Sequence, residues 1–118
     1  MLHSIAQIIY DKKGFNILAL DVQGLSTITD YLLIAEGNVD RHVMSMAHTI
    51  LEEMNESGEK PIHTEGLRTG DWIVLDYGTV VIHIFDEEAR AYYDLEGLWA
   101  GAKPVEWSGA SAAPRLAK

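Results

Sequence analysis

Two strongly apolar segments, Trp72–Tyr77 and Val80–Phe85, are separated only by a Gly-Thr pair. A two-residue connection that begins with glycine is typical of a type II′ β-hairpin, because the first turn position needs a positive φ. Such a turn fixes the pairing register and places Asp76 opposite Val81. This hairpin constrains the chain more than any other feature, and the rest of the fold has to pack around it.

The predicted register gives the hairpin two unlike faces, because side chains alternate along a strand. One face is wholly apolar and is expected to pack on helices; it carries Ile73, Leu75, Tyr77, Val80, Ile82 and Ile84. The other face mixes aromatic and ionisable side chains; it carries Trp72, Val74, Asp76, Val81, His83 and Phe85. An open apolar patch with polar neighbours is typical of a protein-binding surface. The alternative is that a further helix covers this face while Asp76 and His83 hydrogen-bond each other.

The remaining periodicity predicts an α/β fold, with a mixed β-sheet of about five strands and helices packed on it. The predicted elements outside the hairpin are a helix over 2–13, strands over 16–21 and 31–35, a helix around 43–54, a short strand over 61–65 and a helix over 87–99. Either Asn38 or Asp40 is expected to cap the second helix, and Gly58 is expected to end it. The strand, helix and short strand should form a right-handed βαβ crossover.

Composition indicates one domain and a tail. Residues 1–101 show regular periodicity, whereas residues 102–118 are rich in Ala, Ser, Gly and Pro. We therefore predict a single domain over 1–101 and a flexible C-terminal tail over 102–118. Whether the tail, which contains Trp107, adds contacts stays open.

Composition also excludes several classes of protein. The 118 residues contain no cysteine, which excludes disulfides and thiolate metal sites. No apolar run approaches the ~20 residues of a membrane helix, and the N-terminus does not resemble a signal peptide. We expect a cytoplasmic protein that does not bind membranes. The net charge of −9 disfavours direct nucleic-acid binding and favours a basic protein partner, although acidity that only aids solubility is the alternative.

No catalytic, cofactor or metal site is predicted. The histidines His42 and His48 are six residues apart and do not have the i,i+4 spacing of a helical zinc site. The Gly66–Gly70 segment is followed by a strand, so a turn is predicted there and not a phosphate-binding loop. Asp21 and Asp30 flank a polar loop, and their expected role is turn formation.

Several runs, in their order and spacing, carry a resemblance to a known family. They are Leu20–Ser26, Thr29–Tyr31, Gly37–Asn38, Arg41–Val43, Glu65–Gly66, Asp71–Gly78, Val81–Phe85 and Tyr93–Trp99. Together they resemble the ribosomal silencing factor family, also called RsfS or Iojap, over roughly residues 4–99. The ordered set is much more specific than any single run.

The resemblance implies a fold similar to nucleotidyltransferases without their catalytic residues, and no enzymatic activity or cofactor. It implies binding to ribosomal protein uL14 on the large ribosomal subunit. The bound protein would sterically block association with the small subunit and repress translation under nutrient limitation. The implied contact residues are Trp72, Val74, Asp76, Val81, His83 and Phe85, with Arg90 and Tyr93 on the following helix.

Three alternatives remain at this point. One is a factor for assembly of the large subunit, as in some organelle relatives of the family. Another is a nucleotidyltransferase-type enzyme, which is disfavoured because Asp71 and Asp76 are five residues apart and should point to opposite faces. The third is a homodimer that hides the aromatic face in the free protein, and it is compatible with ribosome binding.

Overall fold

The structure, a computed structural model, describes residues 1–93, 97, 99 and 101–106. Its elements in chain order are α1 (Leu2–Asp11), β1 (Phe15–Asp21), β2 (Tyr31–Gly37), α2 (Asp40–Glu56), β3 (His63–Glu65), β4 (Trp72–Asp76), β5 (Val80–Asp86), α3 (Glu87–Tyr93) and β6 (Lys103–Val105). The strands form one sheet in the order β3-β4-β5-β2-β1-β6. The predicted α/β class is confirmed, with six strands where about five were expected.

The hairpin has the predicted register. β4 and β5 pair antiparallel with Asp76 opposite Val81 and Trp72 opposite Phe85. Gly78 has a φ of +90°, as the first position of the predicted turn requires. The assignment of side chains to the two hairpin faces is therefore confirmed.

β5 also joins the hairpin to the rest of the sheet, because its other edge pairs in parallel with β2. The loop before β2 is tied to the hairpin turn: the N–H groups of Asp30 and Tyr31 donate to the Thr79 carbonyl at 3.2 and 3.0 Å. β3 runs in the same direction as β2, because it pairs antiparallel with β4, which pairs antiparallel with β5. The predicted βαβ crossover is thus present, and it spans two intervening strands.

The main core lies between the apolar hairpin face and helices α1 and α2. All six side chains predicted for that face are buried, with exposures of 7% or less: Ile73, Leu75, Tyr77, Val80, Ile82 and Ile84. From the helices, Ile5, Ile9, Met46 and Ile50 have no exposed surface. The apolar side of the helix predicted around 43–54 therefore faces the core.

The ends of α2 agree only in part with the prediction. Gly58 adopts a φ of +87°, and the Glu59 N–H donates to the Met54 carbonyl at 2.8 Å, which is a Schellman ending. At the start, Val39 is the N-cap and supplies no side-chain hydrogen bond. Asp40 is already the first helical residue, so the expected Asn38 or Asp40 cap is wrong.

A smaller cluster lies on the opposite side of the sheet, under α3 and the segment that contains Trp99 and Ala102. Asp86 caps α3, because the Ala89 N–H donates to its carboxylate at 2.8 Å. The helix is described as far as Tyr93. The end predicted at Trp99 cannot be compared, because residues 94–96 and 98 lie outside the described residues.

The predicted domain boundary at residue 101 needs correction. β6 pairs antiparallel with β1 and places Val105 opposite Ala19, where Val105 packs against the main core. The sequence analysis missed this strand, because a three-residue edge strand is too short to show a detectable period. The sheet therefore includes residues that were assigned to the tail; the rest of that predicted tail, from residue 107, lies outside the described residues.

Ending the chain after Gly101 should lower its stability relative to a chain that ends after Glu106. The shorter chain loses β6 and the burial of Val105, which together should cost roughly 1–3 kcal/mol of unfolding free energy. Urea denaturation of the two chains measures the difference. Equal midpoints would show that β6 contributes nothing to the fold.

Candidate functional site

The side of the sheet opposite the main core carries the predicted contact residues. We call their hairpin part, Trp72, Val74, Asp76, Val81, His83 and Phe85, the Trp72 face. On this side of the sheet α3 contacts β5 and β2, and Trp99 and Ala102 pack against the same smaller cluster as Trp72 and Val74. Four of its side chains, those of Trp72, Val74, Asp76 and His83, are partly exposed.

Two residues of the Trp72 face are more buried than predicted. Phe85 has no exposed surface and Val81 retains 9%, because both pack into the smaller cluster with Ala89 of α3. The alternative of a covering helix is therefore correct for this end of the face. A partner cannot contact Phe85 directly in this conformation. Phe85 instead supports the Trp72 ring that packs on it.

Trp72 is held by an aromatic stack and a hydrogen bond. Its ring lies 5.1 Å from that of Phe85 at an interplanar angle of 25°. Its indole N–H donates to Nδ1 of His83 at 3.0 Å. The indole therefore has a fixed orientation, and its polar atom is already satisfied inside the protein.

Burial lowers the pKa of His83 to about 4 from its usual 6.5. Desolvation disfavours the charged imidazolium. The ring is therefore neutral near pH 7, and with Nδ1 acting as the acceptor its proton is on Nε2.

Asp76 does not pair with His83, contrary to the alternative considered above. Its carboxylate accepts a hydrogen bond from the Gly78 N–H at 2.8 Å and thereby stabilises the hairpin turn. Asp71 plays a similar role at the other end of β4, where it accepts from the Trp72 N–H at 3.0 Å and from the Thr69 hydroxyl at 2.9 Å. Both carboxylates are engaged in turns, which gives neither of them the geometry of a shared metal site.

The Gly66–Gly70 segment is a turn, as predicted, and it positions the start of β4. The Gly70 N–H donates to the Gly66 carbonyl at 3.0 Å. Gly66 has a φ of +81°, and a Cβ there would lie 2.0 Å from the Trp72 carbonyl oxygen. This close backbone approach requires glycine and sets the position of Trp72.

β3 extends the Trp72 face by two residues that the sequence analysis missed. His63 lies opposite Asp76 and Glu65 lies opposite Val74, so both side chains point to the same side as the hairpin residues. They also hydrogen-bond each other at 2.7 Å. The short strand was predicted, but its partner strand and register were not.

Arg90 is engaged inside the protein and does not lie open on the Trp72 face. Its guanidinium pairs with Glu36 at 3.2 Å, with side-chain exposures of 11% and 10%. It also donates to the Asn16 carbonyl, and the Asn16 amide donates to the same Glu36 oxygen at 2.9 Å. Arg90 thereby holds α3 against β1 and β2, and its contact with a partner stays a prediction. The side chain of Tyr93 lies outside the described residues.

The described part of the chain contains no group of three or more His, Cys, Asp or Glu side chains that could hold a metal ion. The carboxylate of Asp21, one of the two loop aspartates, accepts from the Gln23 N–H at 2.9 Å, which is the turn role expected for it. No described helix is long and apolar enough to cross a membrane.

The environment of His83 predicts a pH-dependent stability. The pKa of His83 is depressed in the folded state, so the unfolded chain binds more protons between about pH 4 and 6.5. The protein therefore loses stability as the pH is lowered through that window. From pH 7 to 5 the loss should be about 2 kcal/mol for this group. Replacing His83 by Gln should remove that part of the loss in urea denaturation at the two pH values. An unchanged loss would mean that His83 is not buried as described.

Comparison with known proteins identifies the family. A family model described as "Ribosomal silencing factor during starvation" matches residues 1–117. Ribosomal silencing factor RsfS of Bacillus subtilis is 41% identical over 92 residues, which cover 78% of each protein. A crystal structure of a Chromobacterium violaceum protein superimposes with a TM-score of 0.79 at 34% identity, covering 94% of this chain and 92% of that one.

A more distant relative is the mouse protein named "Mitochondrial assembly of ribosomal large subunit protein 1", which is 28% identical over 98 residues. Those residues cover 80% of this chain and 43% of the mouse protein. The family model and the bacterial relative each span most of the chain, and the solved structure has the same fold. The chain therefore belongs to the ribosomal silencing factor family, RsfS, a family of non-enzymatic regulators.

Proposed function

We propose that this protein binds ribosomal protein uL14 on the large ribosomal subunit through the Trp72 face. The observation that carries the proposal is the half-open state of that face: α3 covers one end, while Trp72 and Val74 at its centre remain partly exposed. A partly exposed tryptophan with a fixed orientation is typical of the anchor residues of protein interfaces. Family membership supplies the ribosome as the partner.

Two polar groups of the Trp72 face would not be left unsatisfied by binding. The indole N–H of Trp72 and the carboxylate of Asp76 already have hydrogen-bond partners within the chain. Burying them under a partner therefore does not leave them unsatisfied, which would otherwise cost about 1–3 kcal/mol each. The apolar rings can then contribute their burial to affinity.

Charge favours a basic partner at this surface. The net charge is −9, and Glu65 and Asp76 lie on the β3–β4 side of the face. A complementary basic surface speeds association and suppresses binding to acidic proteins. The same acidity opposes direct contact with ribosomal RNA, so we propose a protein contact with little nucleic-acid binding.

The size of the protein supports a steric mechanism. The fold measures 31 × 30 × 27 Å. A body about 30 Å thick on the surface that meets the small subunit would hold the two subunits apart, because interfaces close to van der Waals contact. We propose that the bound protein represses translation in this way under nutrient limitation, in the cytoplasm.

Two further ideas are weighed against this proposal. The name of the mouse relative favours a role in assembly of the large subunit, which the same contact could serve. Self-association through the Trp72 face would compete with ribosome binding, because both would use the same surface. A nucleotidyltransferase activity has no support, since Asp71 and Asp76 are committed to turns.

Replacing Trp72 by Ala should weaken binding to isolated large subunits by about 2 kcal/mol or more, roughly thirtyfold, because an anchor ring is lost. Co-sedimentation in sucrose gradients measures the binding, and circular dichroism confirms the fold. His48→Ala is the matched control, since His48 is exposed on α2, on the other side of the sheet. Equal loss in both variants, or none in Trp72→Ala, would contradict the proposed face.

The steric mechanism predicts a defect in subunit joining. Adding the purified protein to separated subunits should reduce the joined ribosome peak in a gradient, and Trp72→Ala should leave that peak unchanged. The assembly role predicts another result: depletion from growing cells would cause precursors of the large subunit to accumulate. Normal joining in the presence of saturating protein would contradict silencing by exclusion.

A further inference from the structure

The centre of the Trp72 face contains a hydrogen-bond donor that the protein itself does not use. Nδ1 of His83 accepts the indole N–H of Trp72 at 3.0 Å, so in the neutral ring the proton is on Nε2. His83 makes no further hydrogen bond within the described part of the chain. Its Nε2 is not sealed from solvent, so solvent can reach this N–H in the free protein.

Binding of a partner over Trp72 would close off this access to solvent. His83 lies directly opposite Val74, and its ring lies 5.9 Å from the Trp72 ring at a tilt of 37°, so it belongs to the surface that an anchor at Trp72 would bury. A buried donor without an acceptor weakens binding substantially. A tight complex at this face therefore needs an acceptor aimed at His83.

We propose that Nε2–H of His83 donates a hydrogen bond to a neutral oxygen of the partner, a main-chain carbonyl or a side-chain amide. This inference rests on the proposed function, because it requires that the large subunit bind the Trp72 face. The acceptor is neutral because Asp76 and Glu65 lie on the same side of the sheet. A partner carboxylate would be repelled by these two charges.

The geometry also assigns separate roles to the two ring nitrogens. Nδ1 orients Trp72, whereas Nε2 selects the partner. The roles can be separated by substitution, because the amide of Asn reaches about as far from the backbone as Nδ1, and the amide of Gln reaches about as far as Nε2. Asn therefore keeps an acceptor for the indole, and Gln keeps a donor toward the partner.

The proposal predicts that the two variants differ in affinity for the large subunit, with His83→Gln the tighter binder. His83→Asn should bind at least about tenfold more weakly than the natural protein, a loss of about 1.4 kcal/mol. His83→Gln should bind more tightly than His83→Asn, because it keeps the donor toward the partner, although its loss of the acceptor for the Trp72 indole also weakens binding. If orientation of Trp72 were the only role of His83, the order would be reversed. The reverse order, or equal binding by both variants and the natural protein, overturns the proposal.

Nitrogen NMR of the histidine ring in the natural protein gives the deciding measurement if both variants bind weakly. The free protein should show a protonated Nε2 and an unprotonated Nδ1. In complex with purified uL14, the Nε2 proton should exchange with water more slowly than in the free protein. Unchanged exchange in a complex that forms overturns the proposal.

Failure of the proposal and failure of the proposed function give different results. If Trp72→Ala weakens binding while His83→Asn does not, the face is correct and the role of His83 is wrong. If neither variant weakens binding, the face itself is wrong. If the variants change self-association in sedimentation equilibrium but not large-subunit binding, a second copy supplies the acceptor and the proposal is also wrong.

Discussion

The two-residue turn after Tyr77 determines the side of the sheet on which each hairpin residue lies. A register shift of one residue would exchange the apolar face for the Trp72 face and would place Asp76 and His83 in the main core. The turn is held by the Asp76 carboxylate and by the link from the Thr79 carbonyl to the loop before β2. Because β5 pairs with both β4 and β2, this one register aligns both halves of the sheet.

The separation of the two faces has a functional consequence. Helices α1 and α2 bury the apolar face completely, so stability does not depend on what binds the other side. On that other side, the ion pair of Arg90 and Glu36 holds α3 over the end of β5 and β2, and Phe85 forms a closed floor beneath Trp72. The remaining open surface is preorganised: its tryptophan is oriented and its carboxylates are engaged. Preorganisation of this kind reduces the entropy cost of binding.

The sequence was sufficient for the features that depend on local pattern. The hairpin register follows from turn length, the core stripe of α2 follows from its period, and the end of α2 follows from Gly58. Features that depend on contacts between distant segments were not predictable in the same way. Arg90 and Glu36 are 54 residues apart, and nothing local indicates that they pair. The strand β6 is too short to show a period, and Phe85 was assigned to an open surface because the position of α3 was unknown.

The candidate site shows the same division. Alternation placed Trp72, Val74, Asp76 and His83 on one partly open face, and the structure agrees. The ribosome as partner came from the ordered family motifs, since no physical property of the face names it. His63 and Glu65 were missed because the pairing of β3 with β4 depends on the tertiary fold, and the sequence of neither segment alone specifies it.

The central claim is that the Trp72 face is the surface that contacts the ribosome. The most direct test is a cryo-electron microscopy reconstruction of this protein bound to the large subunit, at a resolution that shows side chains. We expect Trp72 and His83 to be buried against uL14, with α1 and α2 pointing toward the space that the small subunit would occupy. A map in which α1 and α2 contact the large subunit while Trp72 faces solvent would contradict the account.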